Sequence, residues 1–422
     1  MIKMKSSILK LFGLSVLSVG LLASGTASAQ TPPVLCPDYK RGPTKIPGQR
    51  VGKRVQKAFE AYSAELLDEA IEILKEIEAD DSFDRAYVDR FLGNLLASQE
   101  GKASEALNYL LRSVKDKELN DNEHAQTLRL VGDLNMMERN FDQAVEYYNK
   151  WMDYTCKEDA DVYTRLAQAF YETKQLPKMI APADKAIAMY DKPNKNPYVL
   201  KLTSYYERKM YKETIEVAET LVKLFPENKQ WWTQLGFFYM LVEDFSKALQ
   251  TFELAYTQGY LQKASEIRAL AQLYGSLEIP YKSAVIQEKY LKSGLLEADE
   301  DTLSRLANAW HRAKDYIKAA DYYGQAAAIS NDAEHYRKQG TLLLSAEKYK
   351  EAIVALKKSL DAGSDKEGSI QMALMEANFY QGKFKEAYVH IKEAIKDKSV
   401  ARNAKAWEPY IKEKAKNRGI TI

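Results

Sequence analysis

Four histidines, His124, His311, His335 and His390, and two cysteines, Cys36 and Cys156, are the scarce reactive side chains of this 422-residue sequence. A metal site would ask for two histidines a helical turn apart or for a close cysteine pair, and neither spacing occurs. There is no glycine-rich phosphate loop and no G-x-S-x-G nucleophile turn. The 59 Asp and Glu residues are spread along polar faces, so no pair stands out as a general acid and base. The sequence therefore reads as a non-enzyme without metal or cofactor. Its function is expected to rest on a surface.

What the cysteines do depends on the compartment. Lys3, Lys5 and Lys10 precede or enter the apolar run Leu11–Ala23, and Ala27-Ser28-Ala29 gives a small-x-small cleavage site. This reads as a secretory signal peptide over residues 1–29, implying the periplasm of a Gram-negative bacterium. The alternative is an uncleaved anchor, for which the apolar run is short. No second span follows that would hold the cleaved chain in a membrane. Cleavage removes three lysines, taking the formal charge from +2 to −1. With no basic stripe interleaved with aromatics, nucleic acid is not an expected partner. In an oxidising compartment an even pair of cysteines points to a Cys36–Cys156 disulfide. The alternative is two unpaired thiols, with equal thiol counts before and after reduction.

The elements that carry these residues are read from Trp231–Tyr256. Trp232, Leu235, Gly236 and Tyr239 are followed by Ala248, Phe252 and Ala255. Trp232, Leu235 and Tyr239 fall on one face of a first helix. Gly236 and Ala248 are small where two helices approach, and Phe252 and Ala255 continue the seam. This spacing resembles the tetratricopeptide repeat. Tyr198, Leu202, Tyr205, Thr214 and Ala218 form a copy upstream, closed by Pro226. Leu303, Leu306, Ala307, Trp310, Ala319, Tyr323 and Ala326 form one downstream. Tyr336, Gly340, Ala352 and Leu356 form another, as do Leu374, Ala387, Ile391 and Ala394, and Leu128, Val131, Gly132, Ala144, Tyr148 and Trp151. Weaker copies begin near Arg54, Asp89, Tyr163 and Ile267.

The resemblance implies an all-α, right-handed superhelical solenoid of about ten tetratricopeptide helix pairs. Residues 30–50 form a Pro-rich extended leader, 51–398 the solenoid, and 399–422 a capping helix and tail. Ala404, Trp407 and Ile411 share one side of that helix, and Pro409 is expected to kink it or mark its start. The turn near Ser98–Ser104 is one residue longer than the pattern wants. Bends are expected near 176–197, where Pro182 would interrupt a second helix and Asp191–Pro197 reads as a loop, and near 293–301.

In this family the first helices line a concave groove. Carried over by position, the resemblance places Met136, Met137, Tyr171, Tyr206, Phe237, Met240 and Leu241 in an apolar middle. Arg268, Arg305, His311, Arg312, Arg337 and Lys338 fall in a basic C-terminal half. Such a groove suits a partner segment with an apolar stretch and an acidic flank, or a C-terminal carboxylate. The alternative is that Phe237–Leu241 pack on adjacent helices and the arginines pair with acidic neighbours. Arg305 and Asn308 match only part of the Lys/Asn/Arg clamp of chaperone-binding members.

The signal, the Cys36-Pro37 leader and the Trp407–Lys412 ending are together similar to periplasmic tetratricopeptide proteins that accompany TonB–ExbB–ExbD systems. That resemblance implies a protein-interaction scaffold assisting energised uptake of iron complexes, with TonB, ExbB, ExbD or an outer-membrane receptor as partner. The alternative role is a scaffold for envelope assembly or peptidoglycan-synthesis enzymes.

Overall fold

The computed structural model describes residues 35–422. The expected signal peptide and the first residues of the leader lie outside the described residues. The regular elements among those described are 21 α-helices and one 3-10 turn.

The chain divides into two units between Pro226 and Glu227. The first holds α1 (Gln49–Ser63) with α2 (Leu67–Lys75), α3 (Ser82–Ala97) with α4 (Ala103–Lys115), and α5 (Asp121–Met137) with α6 (Phe141–Thr155). It continues with α7 (Ala160–Glu172) and α8 (Ile180–Met189), then α9 (Lys195–Glu207) and α10 (Tyr211–Leu224). The second unit holds α11 (Lys229–Leu241) with α12 (Phe245–Thr257), α13 (Ala264–Ser276) with α14 (Pro280–Lys292), and α15 (Glu300–Arg312) with α16 (Tyr316–Ser330). It ends with α17 (Ala333–Ser345) and α18 (Tyr349–Asp361), α19 (Glu367–Tyr380) and α20 (Phe384–Ala394), and α21 (Ala401–Asn417). Helices pack within each pair and, inside each unit, each second helix packs on the next first helix. That is the one-dimensional stacking of a helix-pair repeat.

The seam shows why these residues recur. A Cβ on Gly132, Gly236 or Gly340 would lie 2.7, 2.5 and 2.6 Å from the side chains of Tyr148, Phe252 and Leu356. Gly93 meets Leu110 at 2.5 Å in the same way. Leu110 is one residue further along than its counterparts, because the α3–α4 turn is one residue longer. The facing Ala106, Ala144, Ala248 and Ala352 are fully buried. Where Leu202 replaces the glycine, Ala218 replaces the aromatic, so the two positions exchange size while both stay buried. The α13–α14 pair fills the positions with polar groups instead: Ser283 donates to the Ala271 carbonyl at 2.7 Å, and Gln287 donates to the Ser283 carbonyl at 3.1 Å.

Each pair turns through one left-handed residue. Glu65, Arg139, Lys174, Lys209, Glu243, Glu278, Lys314 and Glu347 hold φ between 58° and 64°, and Gly101 and Gly382 hold 75° and 74°. The residue after each charged turn donates back to the first helix, as Asp244 N does to Tyr239 O at 2.9 Å.

Pro182 acts as a late start. A 3-10 turn, Leu176–Met179, carries the chain to α8, and Pro182 sits in the first turn of that helix, where its missing N–H costs nothing. The expected loop at 191–197 is shorter: Pro197 lies inside the first turn of α9, which Asn194 caps by accepting from Asn196 N at 3.0 Å. Asp299 caps α15 by accepting from Thr302 N at 2.8 Å, so the acidic run does open a helix. The unit division falls at Pro226, just after α10. Helix α21 runs through Pro409 from Ala401, so the proline does not mark its start. Its Ala404 and Ile411 are fully buried against the last pair, and Trp407 is half-buried.

Candidate partner-binding surface

The first helices carry the residues of interest. In the first unit Met137 is exposed, while Met136, Tyr171 and Tyr206 are half-buried. Met136 leans into the core around Tyr148 and Trp151. Lys174 Nζ lies 4.7 Å from the Tyr171 ring, and Tyr206 faces Tyr211 at 6.4 Å. Beside them runs a polar network: Arg165 and the Tyr148 hydroxyl both bond Asp133, the latter at 2.7 Å. Arg129 forks onto Asp159 at 3.0 and 3.3 Å and stacks over Trp151 at 5.1 Å. These groups fix the surface rather than wait for a ligand.

In the second unit Phe237 and Leu241 are half-buried, and Phe237 meets Phe252 edge-on at 5.2 Å. Met240 is buried, which corrects its placement in the groove. Lying one helical turn beyond Gly236, it sits over the helix seam. Arg268, Arg305, His311 and Arg312 are exposed, and Arg337 and Lys338 are half-buried.

Most of that positive charge is answered locally. Arg305 bonds Asp301 at 2.8 Å, Arg312 bonds Glu278 at 2.9 Å, and Arg337 forks onto Glu334 at 2.6 and 2.7 Å. Arg337, assisted by Lys366, holds the Glu334 carboxyl down at about 2. Lys338 Nζ sits 5.2 Å from the Tyr323 ring, and His311 packs against Tyr316 at 6.1 Å. Asn308 accepts from the Tyr323 hydroxyl at 2.6 Å, so the partial clamp motif is engaged within its own pair. Arg268 makes a long contact, 3.5 Å, to Thr302, and its charge is felt at Asp299.

The leader is the best-built feature of the first unit. Cys36 and Cys156 form a disulfide with Cα atoms 4.9 Å apart. Cys156 closes α6 in a left-handed conformation, φ 48°. The Tyr39 hydroxyl donates to Asp121 at 2.7 Å and lies 3.1 Å from that of Tyr154. Lys45 N donates to the Asn120 side chain at 2.8 Å, Asn120 returns a bond to Lys45 O at 3.1 Å, and Lys45 Nζ pairs with Glu118 at 2.6 Å. Gly48 N donates to Asp84 at 2.9 Å. The repeats beginning at Ser82 and Asp121 are the longest, and their connecting loops supply Glu118, Asn120 and Cys156. Beneath the leader, His124 is buried against Tyr154, ring centroids 4.8 Å apart, and burial pushes its imidazole down to about 4.

One cluster was not singled out in the sequence. Phe379 is ringed by Tyr380, Phe384, Trp407 and Tyr410 at centroid distances of 5.3 to 5.6 Å, and Tyr380 stacks on Tyr349 at 5.5 Å. Tyr380 and Tyr410 are exposed. The aromatic density of Phe379-Tyr380 and Trp407–Tyr410 was the available signal, but it joins residues from a repeat and from the cap.

Among the described residues no group of His, Cys, Asp and Glu could hold a metal, and no helix is long and apolar enough to cross a membrane.

No protein-family model matches the chain. A curated relative, the BBSome complex member BBS4 homologue of Drosophila melanogaster, is 23% identical over 333 residues, covering 68% of this chain and 67% of its own. Among solved structures, the TPR2AB domain of yeast Sti1 in complex with pHSP90 is similar at 18% identity. It covers 60% of this chain and 98% of its own, with a TM-score of 0.35. A tetratricopeptide repeat protein from Parabacteroides merdae gives 16% identity, the same coverages and the same TM-score. The Naa15/Naa10 complex bound to HypK-THB covers 86% of this chain and 66% of its own, at 11% identity and a TM-score of 0.44. The seam, the turns and the pairwise stacking make this chain a tetratricopeptide-like helix-pair repeat protein.

Proposed function

We propose that this chain is a non-enzymatic scaffold of the Gram-negative periplasm that binds a protein segment along its first helices, as an accessory of a TonB-dependent system taking up iron complexes. The observation that carries the binding part is that successive first helices each present a large side chain at least partly to solvent. Met137, Tyr171 and Tyr206 supply it in the first unit, and Leu241, Arg268 and Arg305 in the second. A stacked repeat presents such a row as a continuous contact face. The Cys36–Cys156 disulfide supports an oxidising compartment. A segment with an acidic flank would compete for arginines that already hold Asp301 and Glu278, and exposed pairs of this kind contribute little and exchange readily.

The system-level reading is tested by deleting the gene in its host and growing cells on iron complexes as the sole iron source. Impaired use of siderophore or haem iron, restored by the wild-type gene, with normal cell shape supports the reading. Normal iron use with altered shape or envelope integrity overturns it in favour of a scaffold for envelope assembly or peptidoglycan synthesis.

A further inference from the structure

The C-terminal end of the second unit combines two features that together specify a ligand. The first is the aromatic cluster. Phe379 and Trp407 are half-buried, while Tyr380 and Tyr410 present their rings to solvent. Large exposed rings grouped in this way cost hydrophobic free energy unless something covers them.

The second feature is Glu376. It lies one helical turn before Phe379 and Tyr380, on the same side of α19. It is half-buried and joins no side-chain hydrogen bond or ion pair among the described residues, while its oxygens keep access to water. Burial alone raises its pKa, with no cation opposing the rise, and its charge is felt at the Tyr349 hydroxyl. The contrast with the same face of the preceding pairs is sharp: Arg305, Arg312 and Arg337 there all have partners. A half-buried carboxylate without a counter-charge is a ready partner for a cation bound beside it. Ring faces next to the carboxylate attract the same cation through their quadrupoles. One face of Tyr410 already carries Lys414 Nζ at 5.3 Å, so these rings do take an ammonium group.

We infer that Glu376 with Tyr349, Phe379, Tyr380, Trp407 and Tyr410 forms a receptor for a basic segment of a partner protein, a lysine or arginine side chain lying on the rings with its charge at Glu376. This rests on the scaffold reading and names the chemistry of one of its contacts. It differs in sign from the basic groove implied by the repeat resemblance. A carbohydrate would also stack on the rings, but it would leave the carboxylate uncompensated.

The test uses the purified full chain and fluorescein-labelled peptides of repeating Lys-Leu-Gly and Glu-Leu-Gly, read by anisotropy, with chitotriose as a carbohydrate probe. Without residues 1–29 the chain carries a formal charge of −1, too small for bulk attraction to separate the two peptides strongly. The lysine peptide is expected to bind and the glutamate peptide not to. Glu376→Gln should weaken binding about tenfold, some 1.4 kcal/mol, without lowering Tm, since it removes a half-buried charge. Tyr380→Ala should weaken it similarly, and Lys247→Ala, at an exposed position on the second helix α12, should leave it unchanged. Equal binding of both peptides, chitotriose binding that survives Glu376→Gln, or no effect of Glu376→Gln on the lysine peptide overturns the inference. Absence of any peptide binding overturns it too. In both cases the scaffold reading keeps its own separate test, cross-linking to partners in the cell.

Discussion

The exchange of size between Leu202/Ala218 and Gly236/Phe252 gives a quantitative test of the seam. Consider Gly236→Leu, Phe252→Ala and the double variant. Phe252 is fully buried, so its truncation should cost about 3–5 kcal/mol through lost burial and a residual cavity. A Cβ at position 236 already comes within 2.5 and 2.6 Å of two ring carbons of Phe252, and its epsilon and delta atoms cannot both retreat in a filled core. Gly236→Leu should therefore cost about 1–3 kcal/mol by overpacking. Better helix propensity returns about 1 kcal/mol of that. In the double variant the leucine occupies the space the ring leaves, as Leu202 does opposite Ala218. Its net cost should be about 1–2 kcal/mol, giving a favourable coupling of about 3 kcal/mol. Repeat arrays need not unfold in one step. The assay is therefore hydrogen exchange of α11 and α12, followed by mass spectrometry. A double variant whose cost equals the sum of the singles, within about 0.5 kcal/mol, would refute the account of the seam.

Reduction of the disulfide, or Cys36→Ser, should free the leader and destabilise the first unit by about 2–4 kcal/mol, read as faster tryptic cleavage between Lys40 and Lys45. His124 stays neutral in the folded chain down to about pH 4, whereas an unfolded histidine takes its proton near pH 6.5. The unfolded state thus binds the proton first as pH falls. Stability should decline between about 6.5 and 4, by about 2 kcal/mol at pH 5, and His124→Met should remove that part of the urea-midpoint slope. Replacing left-handed turn residues by glycine, as in Lys209→Gly or Glu243→Gly, should stabilise by about 0.5–1 kcal/mol each, measured as a rise in Tm.

The repeats were legible because a glycine facing a large side chain, and an alanine facing both, leave a spacing that survives in Gly132–Tyr148, Gly236–Phe252 and Gly340–Leu356. The longer turn before Ala106 was legible for the same reason. Pro182 was legible as a break in the second helix from its missing N–H, and the structure resolves that break as a late helix start. Trp231 was not foreseen as the more buried of the two adjacent tryptophans. A first helix in a stack buries two faces, so one amphipathic period does not describe it. The same geometry hid Met240. The division at Pro226 had no stronger sequence signal than the prolines near 182 and 193. The ion pairs that answer Arg312 and Arg337 join a turn or a neighbouring helix turn, which register alone does not resolve. The aromatic cluster around Phe379 needed the cap helix placed against the last pair before its members met.

The central claim, that the first helices bind a protein partner, is tested most directly by photo-crosslinking in the native host. A photoreactive residue is placed at Met137, Arg268 or Arg305, all exposed, with Lys247 on a second helix as control. The account expects one partner captured from the first-helix positions and not from Lys247, and TonB, ExbD or an outer-membrane receptor as that partner. Equal capture from Lys247, or none from any first-helix position, would contradict it.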